Sequence, residues 1–287
     1  MAETNALDRV TGARRFGRYV LLAVIAFIVL FPIYTTVIFA LKPGTGVLDY
    51  DKILGIPKAL LPVDLTLDTL RTAWHQGNLG RYLLNSTIMS VAITVGQVVT
   101  SILAAYAFVF MRFPFKNALF ALFLATLLVP AEVTILANTD TIKSLGWVDT
   151  YQGLVVPFLA TAFGVFLLRQ VFRTVPDELR EAAALDGLGH VGFMREVVVP
   201  LSRPAVGALG LFCFLAAWNQ YLWPQQITND PQHRTVQIGL NTLKSANPDR
   251  LNLVTAGTLI AAIPIAVVII IFQRQLVRGL TAGAVKG

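Results

Sequence analysis

The side chains that could take part in chemistry are few and scattered. Asp186 and His190 stand four residues apart and come nearest to an acid–base pair, but a glycine turn intervenes, and the pairing reads as a cap or a surface contact. His75, His190 and His233 lack ligand spacing, so no metal is expected. The single Cys213 lies in an apolar run and offers neither a disulfide framework nor a thiolate site. No G-x-x-x-x-G-K-[ST] phosphate loop occurs, so the chain is not expected to hydrolyse ATP or to bind a cofactor of its own. The polar groups that remain suit recognition better than bond making. Glu181, followed by Ala182, Ala183 and Ala184, offers a carboxylate beside side chains small enough for another surface to approach closely. Asn219 and Gln220 place amides in an apolar stretch, where each must find a partner or a polar cavity. Glu132, just after Pro130, is costly against lipid and should point inward or lie at the outer surface.

Glu181 belongs to residues 174–204, the one long polar interruption between two apolar spans in the second half of the chain. Pro176 suits a first helical position, with Asp177 and Glu178 in the first turn, where the helix dipole favours carboxylates. Strong helix formers fill residues 178–185, and Asp186 with Gly187 supplies a stop. Phe193, Met194, Val197 and Val198 then fall on one side of a second helix, which Pro200 and Pro204 should close. The spacing predicts a short helix, a glycine turn and another short helix.

The surroundings of this loop are apolar. Hydrophobic residues make up 55% of the chain and charged ones 14%, where a soluble domain carries roughly 25% charged; mean hydropathy is +0.67. Six apolar stretches, at residues 19–41, 82–110, 117–137, 153–172, 205–227 and 252–273, are each long enough to cross a bilayer. The first is too long for a signal peptide, and Pro32 should kink it. A short helix is expected near residues 67–75. The fold class is therefore an all-α polytopic membrane protein, with a segment 1–18 before a six-helix domain 19–277 and a tail 278–287 after it.

Six spans put both ends on one side, and basic residues say which. The side that holds both ends and the 174–204 loop carries fourteen Arg and Lys against seven acids, while the other carries nine of each. The entire net charge of +7 thus sits on one face, assigned to the cytoplasm. A pI near 9.8 does not point to nucleic acid, because the basic residues are spread over short loops.

The run Glu181-Ala182-Ala183, three residues, Gly187, nine residues, Val197, one residue, Val199-Pro200 resembles the EAA loop of binding-protein-dependent ABC importer permeases. It departs only in having Val where that pattern has Ile and Leu. The resemblance implies a type I importer permease in a bacterial cytoplasmic membrane, with both ends in the cytoplasm. Its partners would be a homologous but distinct permease, two ATP-binding cassette subunits that use ATP and magnesium, and an extracytoplasmic binding protein. It implies that Glu181 is a charged latch for the ATPase, Ala182 and Ala183 its seat, Asp186 and Gly187 the turn, and that Phe193 with Val197 packs the second helix back on the bundle, with Pro200 in the same coupling set. The tail, residues 279–287, is similar to that of maltose-type permeases, which implies ATPase contacts for Gly279, Thr281, Gly283 and Lys286.

Four further strings are similar to the second permease of the glycerol-3-phosphate branch: Leu84-Asn85-Ser86, residues 128–133, residues 166–170, and residues 218–224 with Trp218, Asn219 and Gln220. This branch implies glycerol-3-phosphate or glycerophosphodiesters such as glycerophosphocholine as substrate. A maltose-, trehalose- or oligosaccharide-type sugar importer is the alternative, and an ion-coupled secondary transporter a remote one. Glu132, Asn219, Tyr221 and Trp223 are expected to face the pathway, where aromatic rings would receive a choline cation. Trp and Tyr also gather at membrane interfaces, which by itself accounts for the aromatics here.

Overall fold

The computed structural model describes residues 12–45, 51–53 and 56–281. Helix dominates, because a helix satisfies its own backbone polar groups in hydrocarbon. α1 (Gly12–Ala40) runs through Pro32 without a break, so the expected kink does not interrupt it. The only strand pairing among the described residues follows, a two-residue antiparallel ladder of β1 (Lys52–Ile53) and β2 (Ile56–Pro57). α2 (Asp68–Gln76) occupies the place where a short helix was expected, and α3 (Leu79–Phe110) is the second long apolar helix.

The third, fourth and fifth apolar stretches are not the single helices that their hydropathy suggests. α4 (Lys116–Ala125) and a 3-10 turn to Leu128 meet α5 (Ala131–Ser144) at a 100° bend. Pro130 is the cause: it lacks an N–H, and it holds Val129 extended at φ −88° and ψ 114°. α6 (Tyr151–Val155), with a 3-10 turn through Pro157, meets α7 (Ala162–Phe172) at 44°. α8 (Asp177–Leu185) and α9 (His190–Phe193) follow; then come a π-helical turn, Met194–Val198, and α10 (Val199–Leu201). An 81° bend at Ser202 leads into α11 (Arg203–Trp218). The fifth stretch breaks again at residues 219–221 before α12 (Leu222–Ile227), since a continuous helix would set the Pro224 ring against the Gln220 carbonyl. α13 (Val236–Ala246) and α14 (Leu251–Thr281) are the last described elements. Among the described residues three helices are thus long and apolar enough to cross a membrane, and up to six spans result if each bent pair counts as one.

The chain divides into two compact units, residues 1–77 with 242–260, and 78–241 with 261–287. In the first, Lys42 is buried at the end of α1, and its Nζ donates to the carbonyls of Lys58 (3.1 Å) and Val63 (2.8 Å). The Lys42 carbonyl in turn accepts from Thr69 Oγ1 (2.6 Å) and Asn252 Nδ2 (2.9 Å). One residue thereby ties the loop after α1 to α2 and to the start of α14. Leu22, Phe27 and Ile33 of α1 remain exposed, as side chains facing lipid do.

In the second unit α3 packs against α7 and α11. Gly164 permits the close approach, because a Cβ there would run into Ser101 Oγ. One apolar cluster gathers Tyr106, Phe110, Phe172, Phe193, Val198 and Leu209; another gathers Met89, Ile93, Leu154, Trp223 and Ile227. Beyond the second cluster lies a polar clamp. Fully buried Asn85 donates to the carbonyls of Gln232 (2.7 Å) and Arg234 (2.8 Å), and its Oδ1 accepts from Tyr151 Oη (2.7 Å). Asp149 Oδ1 accepts from the backbone N–H groups of Asn229 (2.6 Å) and Asp230 (2.8 Å). The loops around residues 149 and 230 therefore meet at the start of α3, whereas residues 174–202 pack at its other end.

Candidate functional site

Residues 176–201 form a helical hairpin seated on the end of α3. Pro176 proves to be the residue before the helix, extended at φ −61° and ψ 141°, and its carbonyl accepts from the Leu179 N–H at 3.3 Å. Asp177 and Glu178 do occupy the first turn. At the other end Gly187 stands at φ +77°, its N–H donating to Ala184 O (3.1 Å), and the Leu188 N–H donates to Ala183 O (2.9 Å). These two bonds make a Schellman cap, which needs a left-handed residue at its centre. The expected stop is thus formed by Asp186 and Gly187. A Cβ on Gly187 would meet nothing within 4 Å, so backbone conformation alone demands glycine.

The alanines divide their faces. Ala183 is buried against the cluster at the end of α3, while Ala182 and Ala184 are exposed, as are Glu181 and Asp186. Phe193 is buried edge-on to Phe110, centroids 5.3 Å apart, and Val197 packs against the same cluster. Pro200 does not close the second helix. It lies in its last turn, and Pro204 opens α11 instead. A proline inside a helix would press its ring on the carbonyl four residues back, and the wide π turn over Met194–Val198 relieves that contact. His190 pairs with Tyr106, Nδ1 to Oη 3.0 Å, and not with Asp186.

Near the bend between α4 and α5 the structure gathers Glu132, Asn219, Tyr221 and Trp223 around one recess of about 370 Å3. Trp223 is a wall: buried, it spends its indole N–H on Gly153 O (3.1 Å) and stands edge-on to Phe158, 5.7 Å between centroids. Asn219 donates Nδ2 to Leu215 O (2.8 Å), and Tyr221 Oη accepts from Asn241 Nδ2 (2.8 Å). Gln220 and Asn138 also line it, and Gln220 Oε1 is shut from solvent with no hydrogen-bond partner among the described residues. The amide of Gln220 within an apolar stretch was the signal for that residue. For Phe158 and Asn138 the sequence holds none. Among the described residues no Lys or Arg lines the recess, and Glu132 is its one carboxylate.

Gly279 and Thr281 fall in the last turns of α14, while Gly283 and Lys286 lie outside the described residues.

Residues 88–282 match the family described as binding-protein-dependent transport system inner membrane component. The chain is 38% identical over 270 residues to the sn-glycerol-3-phosphate transport system permease protein UgpE of Yersinia pestis bv. Antiqua (strain Antiqua), covering 91% of this chain and 94% of that one. It is 39% identical over 264 residues to the protein of the same name from Brucella abortus (strain 2308), covering 88% and 91%. Its fold superposes with a TM-score of 0.77, at 23% identity and over 91% of this chain and 96% of the other, on a chain from the crystal structure of a bacterial ABC transporter involved in the import of the acidic polysaccharide alginate. With an EAA-type hairpin closed by a glycine cap, apolar helices of spanning length and a family match over more than half its residues, this chain belongs to the inner membrane permeases of binding-protein-dependent ABC importers.

Proposed function

We propose that this chain is one of two unlike permeases in an importer of sn-glycerol-3-phosphate or of glycerophosphodiesters such as glycerophosphocholine. The observation that carries the reading is the 38% identity over 91% of the chain to a glycerol-3-phosphate permease. Residues 174–204 face the cytoplasm together with the residues before α1 and the end of α14, an orientation supported by the net charge of +7 on that face. Six spans follow if each bent pair crosses once. The gathering of residues 149 and 230 at one end of α3 and of the hairpin at the other supports that alternation.

In this reading two ATPase subunits hold ATP and magnesium, and the hairpin passes their closure to the spans. Glu181 and Ala182 meet the ATPase, Asp186 and Gly187 set the angle, and Ala183, Phe193, Val197 and Pro200 bind the hairpin to the bundle. Gly279, Thr281, Gly283 and Lys286 add a second ATPase contact. Glu132, Asn219, Gln220 and Tyr221 line the pathway, with Trp223 as their support. A recess with a carboxylate, amides and aromatic rings but no cation suits a choline head or sugar hydroxyls better than a phosphate. Phosphate recognition is accordingly assigned to the binding protein or the other permease. The same composition keeps a sugar importer as the second reading.

ATP turnover of the reconstituted complex with its binding protein, titrated with glycerol-3-phosphate, glycerophosphocholine and maltose, decides between them. Stimulation by either glycerol compound is expected; stimulation by maltose alone would transfer the chain to the sugar branch.

A further inference from the structure

Beside the start of α8 lies a second recess, of about 430 Å3, lined by Lys116, Arg169, Arg173 and Arg180 against a single carboxylate, Asp177. Among the described residues none of these four cations makes an ion pair. Arg169 Nε is shut from solvent without a hydrogen-bond partner, while the guanidinium lies 4.0 Å from the Phe120 ring centroid. Ring stacking offsets only part of the cost of withdrawing such a group from water. Lys116 is held in place by the carbonyls of Val109 (3.1 Å) and Met111 (2.9 Å), which use two of its three donors. It also sits in the first turn of α4, a turn with no carboxylate, where the helix dipole opposes a cation. Four cations around one carboxylate, none of them in an ion pair among the described residues and one of them set against a helix dipole, call for an anion from outside the chain.

The neighbouring surface indicates which anion. Phe115, Leu119 and Leu122 of the same helix start are exposed, Phe115 by 81%. A free anion gains nothing from that surface, whereas an amphiphile places its phosphate among the cations and its acyl chains along α4. Basic pockets between helices on the cytoplasmic side of a membrane bind anionic headgroups in this way. We propose that the recess binds the phosphate of an anionic phospholipid and so links α4 and α7 to the first turn of α8. The choice of the cytoplasmic leaflet rests on the orientation proposed above; the binding itself does not.

The test is native mass spectrometry of the complete transporter, with its partner permease and ATPase subunits, released from bilayers of phosphatidylcholine and phosphatidylglycerol. Wild type is expected to retain phosphatidylglycerol. The Lys116→Gln/Arg173→Gln variant should retain on the order of tenfold less, with unchanged phosphatidylcholine and co-purifying ATPase. Arg169→Gln, which also loses the Phe120 contact, serves as a second variant. Equal retention by wild type and both variants overturns the proposal, as does displacement of the lipid by inorganic phosphate, which would mark a free-anion site. Retention only when the ATPase subunits are absent would make the recess part of the docking surface instead. Orientation is read separately: labelling of Arg112→Cys by an impermeant maleimide from outside the cell would reject the cytoplasmic leaflet while leaving lipid retention intact.

Discussion

Tyr106 and His190, 84 residues apart in sequence, meet through Oη and Nδ1 at 3.0 Å, with their rings edge-on at 86°. The contact joins the last turns of α3 to the first residue of α9, so the second arm of the hairpin is tied to a long apolar helix by a hydrogen bond as well as by packing. A net hydrogen bond of this kind contributes about 1 kcal/mol. Tyr106→Phe is expected to leave assembly and ATPase co-purification unchanged and to lower substrate-stimulated ATP turnover a few-fold. Wild-type stimulation in that variant would show that the bond is not part of the coupling.

At Gly187 there is room for a side chain but no comfortable backbone for one. Gly187→Val should cost on the order of 2 kcal/mol locally and impair coupling more than membrane insertion, because a β-branched residue is strongly disfavoured at positive φ. Gly187→Asn should be milder, since Asn tolerates the left-handed region. Equal ATP turnover by the two variants would remove the backbone explanation.

The split between Ala183 and Ala182 predicts opposite failures from the same substitution. Ala183→Leu overpacks a buried site and is expected to destabilise by about 1–3 kcal/mol, visible as a lower melting temperature of the purified permease. Ala182→Leu lies on an exposed face and should leave that temperature unchanged while weakening ATPase co-purification. Two variants with the same melting temperature would contradict the assignment of faces.

Glu181 is exposed and makes no ion pair among the described residues. Glu181→Lys should therefore leave the permease folded and expressed, yet reduce recovery of the ATPase subunits. Recovery at wild-type yield with unchanged transport would defeat the latch.

Gln220 Oε1, buried at the edge of the recess without a partner, gives the pathway its own test. Gln220→Met keeps volume and removes an orphaned acceptor, so it is expected to preserve or slightly raise thermal stability. Transport should fall severalfold if substrate supplies the missing donor. Unchanged transport kinetics would return the amide to a packing role.

Local rules carried much of this molecule into legibility. Lipid-length apolar stretches, helix formers, a carboxylate-rich first turn and the Gly187 stop each depend on residues within a turn or two of one another, and residues 181–200 hold their family spacing in a contiguous run. Pro130 and Pro224 were equally visible, but the breaks they impose were hidden by hydropathy, which counts apolar residues without asking whether each backbone donor has an acceptor. Other features arise where distant helices meet, and no window of sequence contains both partners. Ala183 faces inward because Phe193 and Tyr106 stand where α3 ends, and Trp223 becomes a wall because Gly153 O, 70 residues away, takes its indole N–H. Arg169 is in sequence one more cation beside an apolar stretch; in the fold its guanidinium lies over the Phe120 ring and its Nε is shut from solvent. Burial and orientation of this kind depend on which helix faces approach one another, a property of the packed chain that spacing along it does not encode.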